Sequence, residues 1–121
     1  MEFVTGCAGG SKIITGTVLS LINTLDWGMS LTESLAVPRI HDMLTRKTYY
    51  EQGFDVKWVE ELRRMGYNMT QWSGRFPMGT VSSISRLGGR TDAQGEPRKG
   101  GTGKIIKSKV NVVMTTEKPL L

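Results

Sequence analysis

The chain has 121 residues, a length that suits one domain or a part of a larger one. It contains one Cys, which excludes a disulfide framework and a cysteine-based zinc finger within this chain. The formal net charge of +5 comes from residues 98–121, because residues 1–97 carry equal numbers of basic and acidic side chains. A basic nucleic-acid-binding face on residues 1–97 is therefore not expected.

The first predicted elements are a strand over residues 3–5 and a helix that follows a glycine-rich segment. Ser11 is the predicted N-cap of this helix, and Gly28 is expected to end it in the left-handed conformation. Apolar residues recur at helical spacing and predict the buried face of the helix. They are Ile14, Val18, Leu21, Ile22 and Leu25.

The remaining elements alternate between helices and strands. A capping box from Ser30 to Glu33 predicts a second, short helix that Pro38 stops. Asp55 is the predicted N-cap of a third helix, with Gly66 just past its end. Strands are predicted over residues 48–51, 68–72, 80–87 and 90–94, the last two joined by a turn at Gly88-Gly89. This order predicts α/β or α+β layering, of which we take α+β as the fold class, and the few short strands indicate part of a larger fold.

The glycine-rich segment is the first candidate site. A phosphate-binding loop needs the order Gly-Lys-Ser/Thr, whereas this chain has Gly10-Ser11-Lys12. Gly9 and Gly10 would instead present consecutive N–H groups at a helix N-terminus, which favours a bound anion or an oxyanion formed during acyl transfer. The alternative is a plain strand-to-helix turn, which the local pattern alone favours. No cofactor or metal site is predicted.

Three further side chains have possible chemical roles. Cys7 is a conceivable nucleophile beside the helix N-terminus, although an inert small residue is the commoner situation for a single Cys. His41 is the only His and is expected to be structural rather than catalytic. Arg39 suits a carboxylate partner, which the sequence does not identify.

Five segments between residues 3 and 101 together match one family. They are Gly-Cys-Ala-Gly-Gly-Ser-Lys-Ile-Ile-Thr at 6–15, Leu-Asp-Trp-Gly-Met at 25–29 with Val-Pro-Arg-Ile-His at 37–41, Glu-Gln-Gly-Phe at 51–54 with the helix and Met-Gly-Tyr that follow, Met-Gly-Thr-Val at 78–81, and Glu-Pro-Arg-Lys-Gly-Gly at 96–101. In this order and spacing they resemble motifs of the γ-glutamyltranspeptidases.

The resemblance implies a fold and an activity. The family's fold is the αββα sandwich of N-terminal-nucleophile hydrolases, and residues 1–101 resemble the C-terminal part of its small subunit. The family's nucleophile is the N-terminal Thr of that subunit, with its own amine as base. It transfers γ-glutamyl groups from glutathione to water, amino acids or peptides. No cofactor is implied.

The same resemblance implies that the working residues of this chain are Gly9 and Gly10, as oxyanion donors. The expected partners are the rest of the small subunit and the large subunit, with no nucleic acid. The nucleophilic Thr and the glutamate-binding residues would lie upstream of this chain. The family also suggests an extracellular, membrane-anchored, vacuolar or periplasmic location.

Two features depart from the family pattern. Cys7-Ala8 replaces Ser/Thr-Pro, so the fixed φ of proline before the glycines is lost. Residues 102–121 form a divergent basic tail, predicted to lie outside the domain. Three alternatives stay open: a non-catalytic structural or regulatory paralogue, a basic-tailed nucleic-acid-binding module and an autonomous Cys7 hydrolase.

Overall fold

The computed structural model describes residues 2–106, which combine strands and helices as the sequence predicts. A π-helical turn, Ile22–Asp26, extends the first α-helix, and a 3-10 turn, Pro97–Lys99, follows the last strand. The elements are β1 (Glu2–Ala8), α1 (Lys12–Leu21), α2 (Leu31–Ala36), β2 (Ile40–Asp42), β3 (Thr48–Tyr50), α3 (Val56–Arg64), β4 (Met69–Gln71), β5 (Thr80–Leu87) and β6 (Arg90–Gln94).

The strands of residues 2–106 form two three-stranded sheets. Sheet A has the order β1-β5-β6 and is antiparallel throughout. Sheet B has the order β2-β3-β4, in which β2 and β3 are antiparallel and β3 and β4 are parallel. Gly88 and Gly89 have φ of 59° and 78° between β5 and β6, a conformation that suits a tight hairpin and confirms the predicted turn.

Local capping signals identify two helices correctly. The Ser30 hydroxyl accepts a hydrogen bond from the Glu33 N–H, and α2 ends before Pro38 as predicted. The Asp55 carboxylate accepts from the Lys57 N–H at the start of α3. The sequence does not predict β2, because this three-residue strand is defined by its pairing with β3 and carries no turn signal of its own.

The predicted buried face of α1 is wrong. The buried positions are Gly16 and Ser20, followed by Thr24 in the π turn, whereas Ile14 is 74% exposed. Small residues bring the helix backbone close to sheet A, where the Ser20 hydroxyl bonds to Thr5 Oγ1 at 2.9 Å. The apolar stripe therefore faces away from the sheet.

The apolar core has two parts. Leu35 of α2 and Val81 of β5 are fully buried where α2 contacts sheet A, and Met78, just before β5, is also fully buried. Val59 of α3 and Met69 of β4 are buried where these two elements meet. Among residues 2–106 no helix is long and apolar enough to cross a membrane. Of the predicted basic tail, residues 107–121 lie outside the described part, and residues 102–106 have no regular secondary structure.

Candidate active site

The turn between β1 and α1 carries the two predicted site glycines. Gly9 and Gly10 are exposed and have φ of 131° and 64°. Their carbonyl oxygens accept from the N–H groups of Lys12 (3.3 Å) and Ile13 (3.1 Å), which joins the turn to the first residues of α1. Their own N–H groups donate to no acceptor within residues 2–106. The turn thus presents two free donors beside the positive end of the helix dipole.

The loop that contains Gly79, just before β5, packs against this turn. A Cβ atom on Gly9 would lie 3.2 Å from the Cα of Gly79, so a larger residue would require the Gly79 backbone to shift. Gly79 has a φ of 86°, and its carbonyl oxygen accepts from Arg39 Nη1 at 2.9 Å. The position of the Gly9 backbone is therefore tied to a buried guanidinium.

Ser11 occupies the N-cap position of α1, as the sequence predicts, but its side chain does not cap the helix. Its side chain makes no hydrogen bond to the helix backbone, and its Oγ lies 3.5 Å from His41 Nε2 instead. The other ring nitrogen, Nδ1, lies 2.6 Å from Thr15 Oγ1. His41 is buried, and both ring nitrogens contact hydroxyl groups of α1 or its N-cap, which supports the predicted structural role.

Burial and the ammonium group of Lys12 lower the pKa of His41, and the carboxylate of Asp42 offsets this only in part. The imidazole is accordingly neutral at neutral pH. Lys12 also stacks its Nζ over the Trp72 ring, 4.4 Å from the ring centroid. Trp72 directly follows β4, so a second contact joins the first turn of α1 to sheet B.

Cys7 has surroundings that disfavour a nucleophilic thiolate. Its thiol approaches the carbonyl oxygens of Ala8 (3.4 Å) and Lys12 (3.7 Å), both hydrogen-bond acceptors. Burial raises the pKa of the Cys7 thiol, which opposes ionisation at neutral pH. The only His of the chain is engaged with Ser11 and Thr15. The geometry therefore favours an inert Cys7.

The carboxylate partner of Arg39 is Glu96, and the two form a buried bidentate ion pair. Glu96 also accepts from the Val81 N–H, and Arg98 contacts both Glu96 and Glu51. Burial alone would lower the pKa of Arg98, but the hydrogen bonds and charges of Glu51 and Glu96 outweigh it and raise that pKa. Through these ion pairs, Arg39 just before β2 is connected to residues that follow β3 and β6.

The sequence does not reveal this network, because its members are far apart in the chain. Arg39 and Glu96 are 57 positions apart, a separation that no local pattern reports. The motif at 96–101 contains both Glu96 and Arg98, and its two opposite charges beside a Pro were the available signal. Within residues 2–106 no group of three or more His, Cys, Asp or Glu side chains is arranged to hold a metal ion.

Comparison with known proteins agrees with the resemblance of the motifs. The sequence profile of the family described as Gamma-glutamyltranspeptidase matches residues 1–106. A glutathione hydrolase proenzyme of Arthroderma benhamiae is 41% identical over 109 residues, which cover 88% of this chain and 18% of that protein. The chain belongs to the γ-glutamyltranspeptidase family, and it spans less than a fifth of the length of this relative.

Solved structures share the fold. The γ-glutamyltranspeptidase of Pseudomonas nitroreducens complexed with L-DON superposes with a TM-score of 0.75 at 29% identity, over 88% of this chain and 56% of that one. A cephalosporin acylase of Bacillus halodurans superposes with a TM-score of 0.77 at 23% identity, over 86% of this chain and 20% of that one, a likeness of fold alone. Both neighbours are of the N-terminal-nucleophile hydrolase type.

Proposed function

We propose that this chain acts in the transfer and hydrolysis of γ-glutamyl groups from glutathione and related compounds, as the C-terminal part of the small subunit of a complete enzyme. The observation that carries the proposal is the family match over residues 1–106. The 41% identity of this chain to a glutathione hydrolase proenzyme supports the same reaction class. The partners would be the rest of the small subunit and the large subunit.

In this proposal Gly9 and Gly10 stabilise the oxyanion. When the nucleophile attacks the γ-glutamyl carbonyl, negative charge develops on the carbonyl oxygen of the tetrahedral intermediate. Two exposed N–H groups at a helix N-terminus suit that charge, and the missing side chains let the substrate carbonyl approach. These donors bind the transition state more strongly than the neutral carbonyl of the substrate, so they raise kcat.

The chain supplies these donors, and by the family resemblance the other catalytic groups come from outside it. The nucleophilic Thr, whose free amine serves as base, and the groups that hold the glutamate would lie upstream. Cys7 is not expected to replace them, because the only His of the chain contacts Ser11 and Thr15 and burial raises the pKa of the Cys7 thiol. The reaction therefore needs the complete enzyme.

The test is to express the complete protein that carries this chain and to measure glutamate release from glutathione and γ-glutamyl transfer to amino acids or peptides. We expect both reactions, with a γ-glutamyl-enzyme intermediate that a mechanism-based inhibitor traps. A correctly folded complete protein that processes no γ-glutamyl compound would contradict the proposal and favour the non-catalytic paralogue.

A further inference from the structure

We propose that Thr15 and His41 are positioning residues for the oxyanion donors of Gly9 and Gly10. In this inference the imidazole of His41 fixes the rotation of α1 about its axis by contacting Thr15 and Ser11. The rotation of α1 in turn fixes the direction of the two donor N–H groups. The inference rests on the proposed function, because it concerns the same donors.

The two hydroxyl groups that contact His41 lie on the same face of α1, at its N-terminal end. Ser11 directly follows Gly10, and Thr15 is four positions further on, about one helical turn. Their distances to the ring are 3.5 Å at Nε2 and 2.6 Å at Nδ1. His41 itself is 6% exposed and belongs to β2, whose backbone pairs with β3. The imidazole that contacts α1 therefore belongs to sheet B.

The donor glycines, by contrast, follow a strand of sheet A. Gly9 and Gly10 follow β1, which pairs with β5 over its full length. The contacts of His41 thus connect α1, which follows a strand of sheet A, to sheet B. Because α1 turns small residues toward sheet A, apolar packing of large side chains does not lock its rotation there. The close approach at Gly16 and the Ser20–Thr5 hydrogen bond hold the later turns of α1 against sheet A. The contacts of His41 hold the first turn of α1.

The turn itself lacks two usual constraints. Ser11 gives no side-chain cap, since its hydroxyl instead contacts His41 Nε2 at 3.5 Å and Met43 Sδ at 3.9 Å. Ala8 stands where the family resemblance expects Pro, so no fixed φ precedes the glycines. A turn of two glycines with positive φ is conformationally permissive. Its geometry therefore depends on the contact of Gly9 with Gly79 and on how firmly the start of α1 is held.

A neutral imidazole is suited to this task. It has one N–H and one nitrogen lone pair, so it can donate to one hydroxyl and accept from the other. The Thr15 hydroxyl makes the shorter contact, and its removal tests the inference most directly. A matched control exists on the same helix, because the Thr17 hydroxyl donates to the Ile13 carbonyl oxygen at 2.8 Å in an exposed hydrogen bond.

The experiment compares Thr15→Val, Thr15→Ser and Thr17→Val in the complete, processed enzyme, with kcat expressed per titrated active site. Thr15→Val keeps the shape of the side chain but removes the hydroxyl. We expect its kcat to fall by about 10- to 100-fold, because small displacements of catalytic donors have effects of this size. KM for the γ-glutamyl donor should change little. Thr15→Ser should restore kcat, and Thr17→Val should leave it unchanged.

A merely structural hydroxyl would lower the melting temperature of Thr15→Val without changing kcat per active site, and that result would overturn the inference. If Thr15→Val does not mature, His41→Asn and His41→Leu provide the same comparison. Asn keeps a polar group near the Nδ1 position and Leu does not, so equal kcat values would also overturn it. Loss of kcat in Gly10→Pro with none in Thr15→Val would reject this inference alone. A fully active, processed Gly10→Pro would instead reject the oxyanion assignment.

Discussion

The two glycines of the turn have different structural reasons to be glycine. A Cβ on Gly9 would lie 3.2 Å from the Cα of Gly79, whereas a Cβ on Gly10 would meet no atom within 4 Å. Gly10 therefore needs only its positive φ of 64°. Substitutions at Gly10 separate the role of the N–H group from the role of packing, which substitutions at Gly9 cannot do.

We predict that Gly10→Pro lowers kcat of the processed enzyme by about 10²–10³, the usual effect of losing one oxyanion donor. Proline removes the N–H, but it also fixes φ near −65° and so opposes the observed conformation. Gly10→Asn is the matched control, since Asn keeps the N–H and tolerates the left-handed region better than most residues. Subunit processing and melting temperature are measured beside kcat.

The Asn variant decides what a loss in the Pro variant means. If Gly10→Asn retains most of the activity while Gly10→Pro loses it, the N–H group is responsible. Equal losses in both variants would assign the effect to backbone conformation. Near-normal kcat in a folded, processed Gly10→Pro would show that Gly10 is no oxyanion donor.

His41 gives the folded state a specific pH dependence. Its pKa in the folded protein is lowered from about 6.5, mainly by burial and also by Lys12. The unfolded chain therefore binds more protons as the pH falls below about 6.5, and this contribution to stability is complete above that pH and decreases toward the folded pKa. We predict that His41→Asn reduces the decrease of the free energy of unfolding between about pH 7.5 and 5.5. The free energy is measured by denaturant unfolding at each pH. A His41→Asn variant with the same pH dependence as the wild type would contradict this prediction.

At the scale of secondary structure, α1 shows why a correct helix prediction gave the wrong buried face. Its apolar spacing identifies a helix, but periodicity does not say which face meets the nearest sheet. Sheet A presents Thr5 and Ser83, whose hydroxyl groups bond to each other at 2.8 Å, and Thr5 also bonds to Ser20. Small polar residues on both elements permit close packing, and a Cβ at Gly16 would clash with Cys7 Sγ of sheet A.

We predict that Gly16→Ala destabilises the protein, although replacing Gly by Ala within a helix ordinarily stabilises it by roughly 0.5–1 kcal/mol. A Cβ at position 16 would lie 2.8 Å from Cys7 Sγ and 3.1 Å from Val81 Cγ2. Overpacking of this kind costs about 1–3 kcal/mol. Denaturant unfolding of the complete enzyme measures the change. The same substitution in a Cys7→Ala background should cost less, and a stabilised Gly16→Ala would refute the close packing.

The elements that the sequence predicted well are those with local signals. The caps of α2 and α3 and the glycine turn between β5 and β6 depend on residues a few positions apart, and each is confirmed. Long-range partners are different. The pairing of Arg39 with Glu96 and of His41 with Ser11 and Thr15 depends on the tertiary fold, so the sequence indicated the chemical need but not the partner. The site role of Gly9 and Gly10 stays a prediction.

The buried ion network allows a prediction for Glu96. Glu96→Gln would keep an acceptor for the Val81 N–H but leave Arg39, with a side chain 5% exposed, without its bidentate carboxylate partner. Breaking a buried pair in this way costs about 3–5 kcal/mol. Glu60→Gln is the control, because it removes an exposed pair with Arg63, which is worth at most about 1 kcal/mol. Equal losses of unfolding free energy in the two variants would contradict the prediction.

On the scale of the whole molecule, the layer of α1 and sheet A has apolar surfaces on both sides. Thr5 and Cys7 face α1, so the alternate residues Val4 and Ile84 lie on the opposite face of the sheet, where they are 68% and 53% exposed. The apolar stripe of α1, including Ile14, is exposed on the other side. Both surfaces suit burial within a larger protein. This arrangement fits the proposal that the chain works inside a complete enzyme.

We therefore predict that the 121-residue chain alone neither hydrolyses nor transfers γ-glutamyl groups at an enzymatic rate. Oxyanion donors without a nucleophile and its base retain only a small part of an enzyme's rate enhancement. Product release from a γ-glutamyl anilide is the measurement, with the complete protein as the positive control. Co-expression of the chain with the remainder of that protein should restore activity, whereas Gly10→Pro in the chain should prevent the restoration. An isolated chain that turns over at the rate of the complete protein would contradict the division of catalytic groups proposed above.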